Sequence, residues 1–115
     1  MAVAMLIGGR DIGQPVVGRW RWDATCELRN FTGVLIIEDG DGDLRISHGG
    51  TNFWDTGTIN EVKFNGRRLS FHRRWGPYLD RVNLTLSRSG GGLRMTGVLP
   101  KTDYSGRCEL TAAKN

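Results

Sequence analysis

The chain has almost nothing that reads as helix. Nowhere do about ten consecutive residues repeat apolar side chains at helical spacing. Proline is scarce, at 3 residues, against 17 glycines, and those glycines fall between short β-branched and aromatic runs. That punctuation belongs to an antiparallel β protein. No run approaches the roughly 18 apolar residues that a membrane-crossing helix needs, so no membrane span is expected. The opening run Met1-Ala-Val-Ala-Met-Leu-Ile-Gly-Gly-Arg10 lacks the basic start and longer apolar region of a signal peptide, which points to the cytoplasm. A glycine-rich phosphate loop, a serine nucleophile elbow, an HExxH helix and paired CxxC motifs are all missing, and no cofactor is expected. With 2 cysteines and no neighbouring pair of histidines there is no zinc site. Asp39-Gly-Asp41-Gly-Asp43 alternates carboxylates as a calcium loop does. It places Leu44 where that loop needs glycine and Gly50 where it needs its last acid, so it is read as a hairpin turn.

The 115 residues suffice for a single hydrophobic core. An N-terminal arm, residues 1–17, precedes one β domain, residues 18–115. The formal charge of +4, carried mostly by arginine, admits an anionic partner. An excess this small is also common on ordinary surfaces, and nucleic-acid binding is not expected.

Alternation of faces orders the rest. A first strand over 18–26 puts Trp20, Trp22, Ala24 and Cys26 on one side. A loop over 27–30 would pair Cys26 with Phe31, Ala24 with Gly33, Trp22 with Leu35 and Trp20 with Ile37, and outside, Arg19 with Glu38. A turn at Gly40-Asp41 would pair Ile37 with Leu44, Leu35 with Ile46 and Gly33 with His48. Strands over 56–64 and 67–74 flank Asn65-Gly66, which would pair Val62 with Leu69, Asn60 with Phe71 and Thr58 with Arg73. The loop from Trp75 to Tyr78 pairs Phe71 with Val82, Leu69 with Leu84 and Arg73 with Asp80. A turn at Ser89-Gly90 would pair Leu86 with Leu93 and Leu84 with Met95. The last strand, 106–113, shows Cys108, Leu110 and Ala112 on one face. The fold expected is an all-β, antiparallel, up-and-down meander of about eight strands closing into a small barrel. The alternative is a flattened or half-open β-sandwich.

In that arrangement Trp20, Ile37, Leu44, Phe64, Leu86, Leu93 and Ala112 gather as an apolar floor. Cys26, His48, Thr58, Arg73 and Asp80 gather at the other end, with Asn60 one layer below. The opening Gly18-Arg19-Trp20, followed by this meander, resembles the Gly-x-Trp start of the lipocalin and calycin barrels. The resemblance implies that Trp20 plugs the closed end, with a basic residue of the last strand packed across it. Lys114 is the residue placed to do so. It also implies binding of a small, mainly apolar molecule in the cup.

Arg73 and Asp80 carry the chemistry. Two opposite charges facing inward cost several kcal/mol unless paired, and such pairs are often kept for a task. A guanidinium there would orient a carboxylate, phenol or carbonyl, unless the pair only closes the barrel end. His48 is a candidate proton carrier, and Thr58, Asn60 and Tyr78 would add hydrogen bonds. Cys26 and Cys108 become neighbours if the barrel closes, as a disulfide or as two buried thiols. The first reading is a non-catalytic barrel that binds a small, partly apolar ligand through His48, Thr58, Asn60, Arg73, Tyr78 and Asp80. The second is an enzyme of acid-base type, an isomerase, cyclase or dehydratase, with His48 or Asp80 as base. The third is an anion or nucleic-acid binder using the outward Arg68, His72, Arg74 and Arg81. The apolar arm and Ile36, Ile59 and Leu79, read as outward, would support a homodimer.

Overall fold

A computed structural model describes residues 14–40, 42–51, 55–90, 92–102 and 105–114. Among these there is no α-helix, and so none long and apolar enough to cross a membrane. A short 3-10 turn, Gln14–Val16, leads into eight strands: β1 Gly18–Cys26, β2 Asn30–Gly40, β3 Asp43–His48, β4 Thr58–Phe64, β5 Arg68–Trp75, β6 Tyr78–Ser89, β7 Gly92–Thr102 and β8 Gly106–Lys114. They form one antiparallel sheet in the order β3-β2-β1-β8-β7-β6-β5-β4. The first and last strands are therefore hydrogen-bonded neighbours in mid-sheet. The sheet curls into a nearly closed barrel whose one unsealed seam lies between β3 and β4.

The inward faces of β1 and β8 are as alternation requires. Trp20, Trp22 and Ala24 of β1 and Cys108, Leu110 and Ala112 of β8 are buried. Their register slides where glycine and turn chemistry decide it. In β1–β2, Trp22 stands opposite Gly33, Trp20 opposite Leu35 and Ala24 opposite Phe31, a slip of two residues from the expected pairing. The cause is steric: a Cβ at Gly33 would lie 2.7 Å from Cζ2 of Trp22, so the indole needs a bare backbone across from it. Arg19 consequently faces Ile36, and the expected pair with Glu38 is not formed. In β2–β3 the closing pair is Gly40↔Asp43, with Gly42 at φ 93°, so Leu35 rather than Gly33 stands opposite His48. The remainder of that turn, Asp41, lies outside the described residues. In β6–β7 the closing pair is Ser89↔Gly92, giving Leu86↔Met95 and Leu84↔Gly97. Each slip is by two residues, so the buried face survives it.

β4 departs differently. Phe64↔Leu69 and Lys63↔Ser70 start one register, and Asn60↔His72, Ile59↔Arg73 and Thr58↔Arg74 continue in another, with Glu61 at φ 54° between them. This is a β-bulge, two residues of β4 facing one of β5, and it shifts the pairing by one. A shift by one exchanges the faces. Thr58 and Asn60, expected inside, are exposed, and Ile59, expected outside, packs against the core.

At the floor Val16 and Trp20 are wholly buried, and the Trp20 indole N–H donates to the Val16 carbonyl at 2.8 Å. Lys114 pairs with Trp20, and its side chain lies over Gly18. Ile37 lies at the same end, opposite Gly18, and Leu69, Met95 and Leu84 are buried in the barrel with it, each burial contributing about 1.5–3 kcal/mol. Cys26 and Cys108 face each other across β1–β8 and are joined as a disulfide, 82 residues apart in sequence. Such a bond is the kind an oxidising compartment maintains.

Candidate functional site

The polar end is built on the β5–β6 hairpin. Alternation carries Arg73 and Asp80 inward as direct cross-strand partners, and both are buried, 2% and 5% exposed. Arg73 Nη1 donates to Asp80 Oδ2 at 3.2 Å, and Arg73 Nε donates to the Thr56 carbonyl at 3.1 Å. Trp75, two residues beyond Arg73 on the same face, donates its indole N–H to the same Asp80 oxygen at 3.1 Å. The guanidinium lies over the Trp75 ring at 5.1 Å from its centroid, and the Tyr78 ring stacks with the Trp75 ring at 4.7 Å between centroids, with 30° between planes. Burial raises the Asp80 pKa above the ordinary aspartate value, while the Arg73 charge and the Trp75 hydrogen bond pull it back. The carboxylate thus accepts two donors, and the guanidinium is tied by hydrogen bonds to both Asp80 and the Thr56 carbonyl. That arrangement suits an arginine that must keep one orientation.

The seam supplies the rest. β3 ends at His48, and beyond it the Val34 carbonyl accepts from the Gly49 amide at 2.8 Å while the Val34 amide donates to Asp55 Oδ1 at 3.0 Å. Asp55, its side chain wholly enclosed, therefore extends the edge of the ladder with a carboxylate. It fits because Gly50 has no side chain: a Cβ there would overlap the carboxylate. The same Oδ1 stands 4.0 Å from His48 Nδ1. Neither imidazole nitrogen reaches a hydrogen-bond partner among the described residues. Burial lowers the His48 pKa, and the Arg73 charge adds to that. The Asp55 charge and the nearby backbone of Thr56 and Gly57 push the other way. His48 is accordingly biased toward the neutral imidazole, with one nitrogen an acceptor.

Between the two parts lies a cavity of about 30 Å³, space for about two water molecules at most. Leu35, Ile59, Phe71, Val82 and Leu110 line it together with His48 on the seam side and Arg73 on the hairpin side, and the surface that faces it is apolar. Of the residues expected here, His48, Arg73 and Asp80 come together and Tyr78 stands at the mouth, 36% exposed. Thr58 and Asn60 are turned out of the cup by the bulge. Asp55 was not legible as a member. An acid five residues after the Gly49-Gly50 pair, within an inter-strand link, is the faint signal it left. Trp75 was legible in principle, since it shares the parity of Arg73.

Comparison with known proteins finds no family model, no curated protein and no solved structure that matches the chain.

Proposed function

We propose that the chain is a lipocalin-like binding barrel that takes a small, partly apolar ligand carrying an oxygen acceptor, the apolar part in the cup and the oxygen against Arg73. The observation that supports this is a small apolar cavity bordered by the side chains of a buried arginine and a neutral-biased histidine. A few convergent polar groups on an otherwise apolar wall are the usual makings of a small-molecule site. The resting cavity is smaller than such a ligand. Binding therefore requires the β3–β4 seam to widen, and the seam is the one place where this can happen without breaking ladder hydrogen bonds.

A titration with 1-anilinonaphthalene-8-sulfonate, followed by its fluorescence, tests the reading. Saturable binding should weaken at least about tenfold in Ala112→Val, which fills the cavity without changing charge, and in Arg73→Lys, which keeps the charge and loses the fork. Arg74→Ala, on the outer face, should leave it unchanged. Equal binding by Ala112→Val and the parent chain would show that the probe sits elsewhere and overturn the proposal.

A second reading, acid-base catalysis with His48 as base, is favoured by the Asp55 carboxylate beside the imidazole. It requires a bound molecule to touch His48. If the bound probe leaves the His48 ring proton resonances unmoved, this reading fails while the first one stands.

A further inference from the structure

The bulge that turns Ile59 inward also reshapes the outside of the sheet. Glu61 and Val62 together stand opposite one residue of β5, and an extra residue of this kind bends a strand and sharpens its twist. A groove of about 190 Å³ opens there across three strands, lined by Glu61 and Lys63 of β4, Ser70 and His72 of β5, and Arg81 and Asn83 of β6. His72 and Arg81 are direct cross-strand partners. Arg68 and Arg74 flank them on the same outer face of β5, both exposed. The outward positions of β5, and of β6 from Leu79 to Thr85, hold no acid. Among the described residues none of Lys63, Arg68, Arg74 and Arg81 has an ion-pair partner. Glu61 is the one acid in the wall. It holds a backbone conformation that a side chain rarely adopts, and such outliers gather at ligand sites more often than elsewhere.

We propose that this groove binds a phosphate-bearing small molecule, with phosphoryl oxygens facing Lys63, His72 and Arg81. Charge complementarity carries the assignment. Three cationic or proton-donating groups converge from three strands, and the Arg81 fork matches two oxygens of one phosphoryl group. Ser70 and Asn83 add neutral donors beside them. A dianionic phosphate outweighs the repulsion from the single carboxylate of Glu61. This site is separate from the cup, since it lies on the opposite face of the same strands.

The test uses the full chain and inorganic pyrophosphate as probe, by calorimetry at low salt with backbone NMR shifts to locate the contact. Saturable binding with shifts at His72 and Arg81 is expected. It should weaken about tenfold in Arg81→Ala and in Lys63→Ala, and tighten about threefold in Glu61→Gln. Arg107→Ala, an exposed cation on β8, serves as control and should change nothing. No saturation by about 10 mM pyrophosphate would overturn the proposal. So would an Arg107→Ala loss equal to that of Arg81→Ala, which signals mere net charge. Binding of a short oligothymidylate with no binding of pyrophosphate would assign the groove to a nucleic-acid backbone and likewise overturn it. Binding of 1-anilinonaphthalene-8-sulfonate in Arg81→Ala reports on the cup alone, so the two proposals fail separately.

Discussion

The two sides of β5 behave differently. Toward β6, pairing runs unbroken from Arg68↔Thr85 to Trp75↔Tyr78. Toward β4, it breaks at Glu61 and resumes one residue out of step. The first side delivers two charges to the interior and the second withdraws two polar residues from it. One inserted residue is enough to exchange Thr58 and Asn60 for Ile59. The cup is more apolar than a regular ladder would make it, and its polarity is confined to the hairpin and the seam.

The largest effect that separates the two sides is expected at the hairpin. Arg73→Met should cost about 3–5 kcal/mol in urea unfolding, because it leaves Asp80 as an uncompensated buried charge. Arg73→Met with Asp80→Leu should recover most of that loss. A double variant no better than the single would mean that the pair itself, rather than the orphaned charge, carries the stability. Next comes the bulge. Ile59→Ala should cost about 1–2 kcal/mol, reduced from a full core truncation because the residue is only half-buried, whereas Asn60→Ala should stay within about 0.5 kcal/mol. The reverse ranking would restore a regular ladder with Asn60 inside. Glu61→Gly should stabilise by about 1 kcal/mol, since glycine occupies positive φ without steric cost. A loss of stability there would mean that the Glu61 side chain matters more than its backbone.

The smallest effects are in pH. The His48 pKa is lowered in the folded chain, so its contribution is fully present above the unfolded value of 6.5 and is lost as pH falls below it toward the folded value. Asp80 has the opposite sign. Its raised pKa gives a contribution that is full below 3.8 and is lost as pH rises through the folded value. Chemical denaturation at several pH values should therefore show a loss of stability as pH falls below 6.5 that His48→Gln flattens. An unchanged slope would detach the seam histidine from the buried site.

Much of this was readable before any coordinates. The hairpin was, because its inward set of Leu69, Phe71, Arg73, Asp80, Val82 and Leu84 admits one register around a short loop, and that register is the one formed. The faces of β1, β2 and β8 were readable as well, since slips of two leave parity intact. Register at β1–β2 was not, because it depends on how the Trp22 ring lies over Gly33, a contact between strands rather than a pattern within one. The bulge was hidden for a related reason. Nothing in Thr58-Ile-Asn-Glu-Val-Lys-Phe64 marks which residue is surplus, and two parities fit it nearly as well. Asp55 escaped because it belongs to a link, and its role arises only where β3 runs out beside Val34.

The disulfide between Cys26 and Cys108 bears on how the molecule can come apart. It ties β1 to β8, where the sheet is already continuous, and leaves the β3–β4 line with no ladder and no covalent tie except the link over residues 49–57. The barrel is thus a clasp, riveted at the back and held shut by side chains at the front. Severing the chain inside that link would remove no connection between laddered neighbours, whereas the same cut in any hairpin turn would remove the covalent tie between two strands that pair.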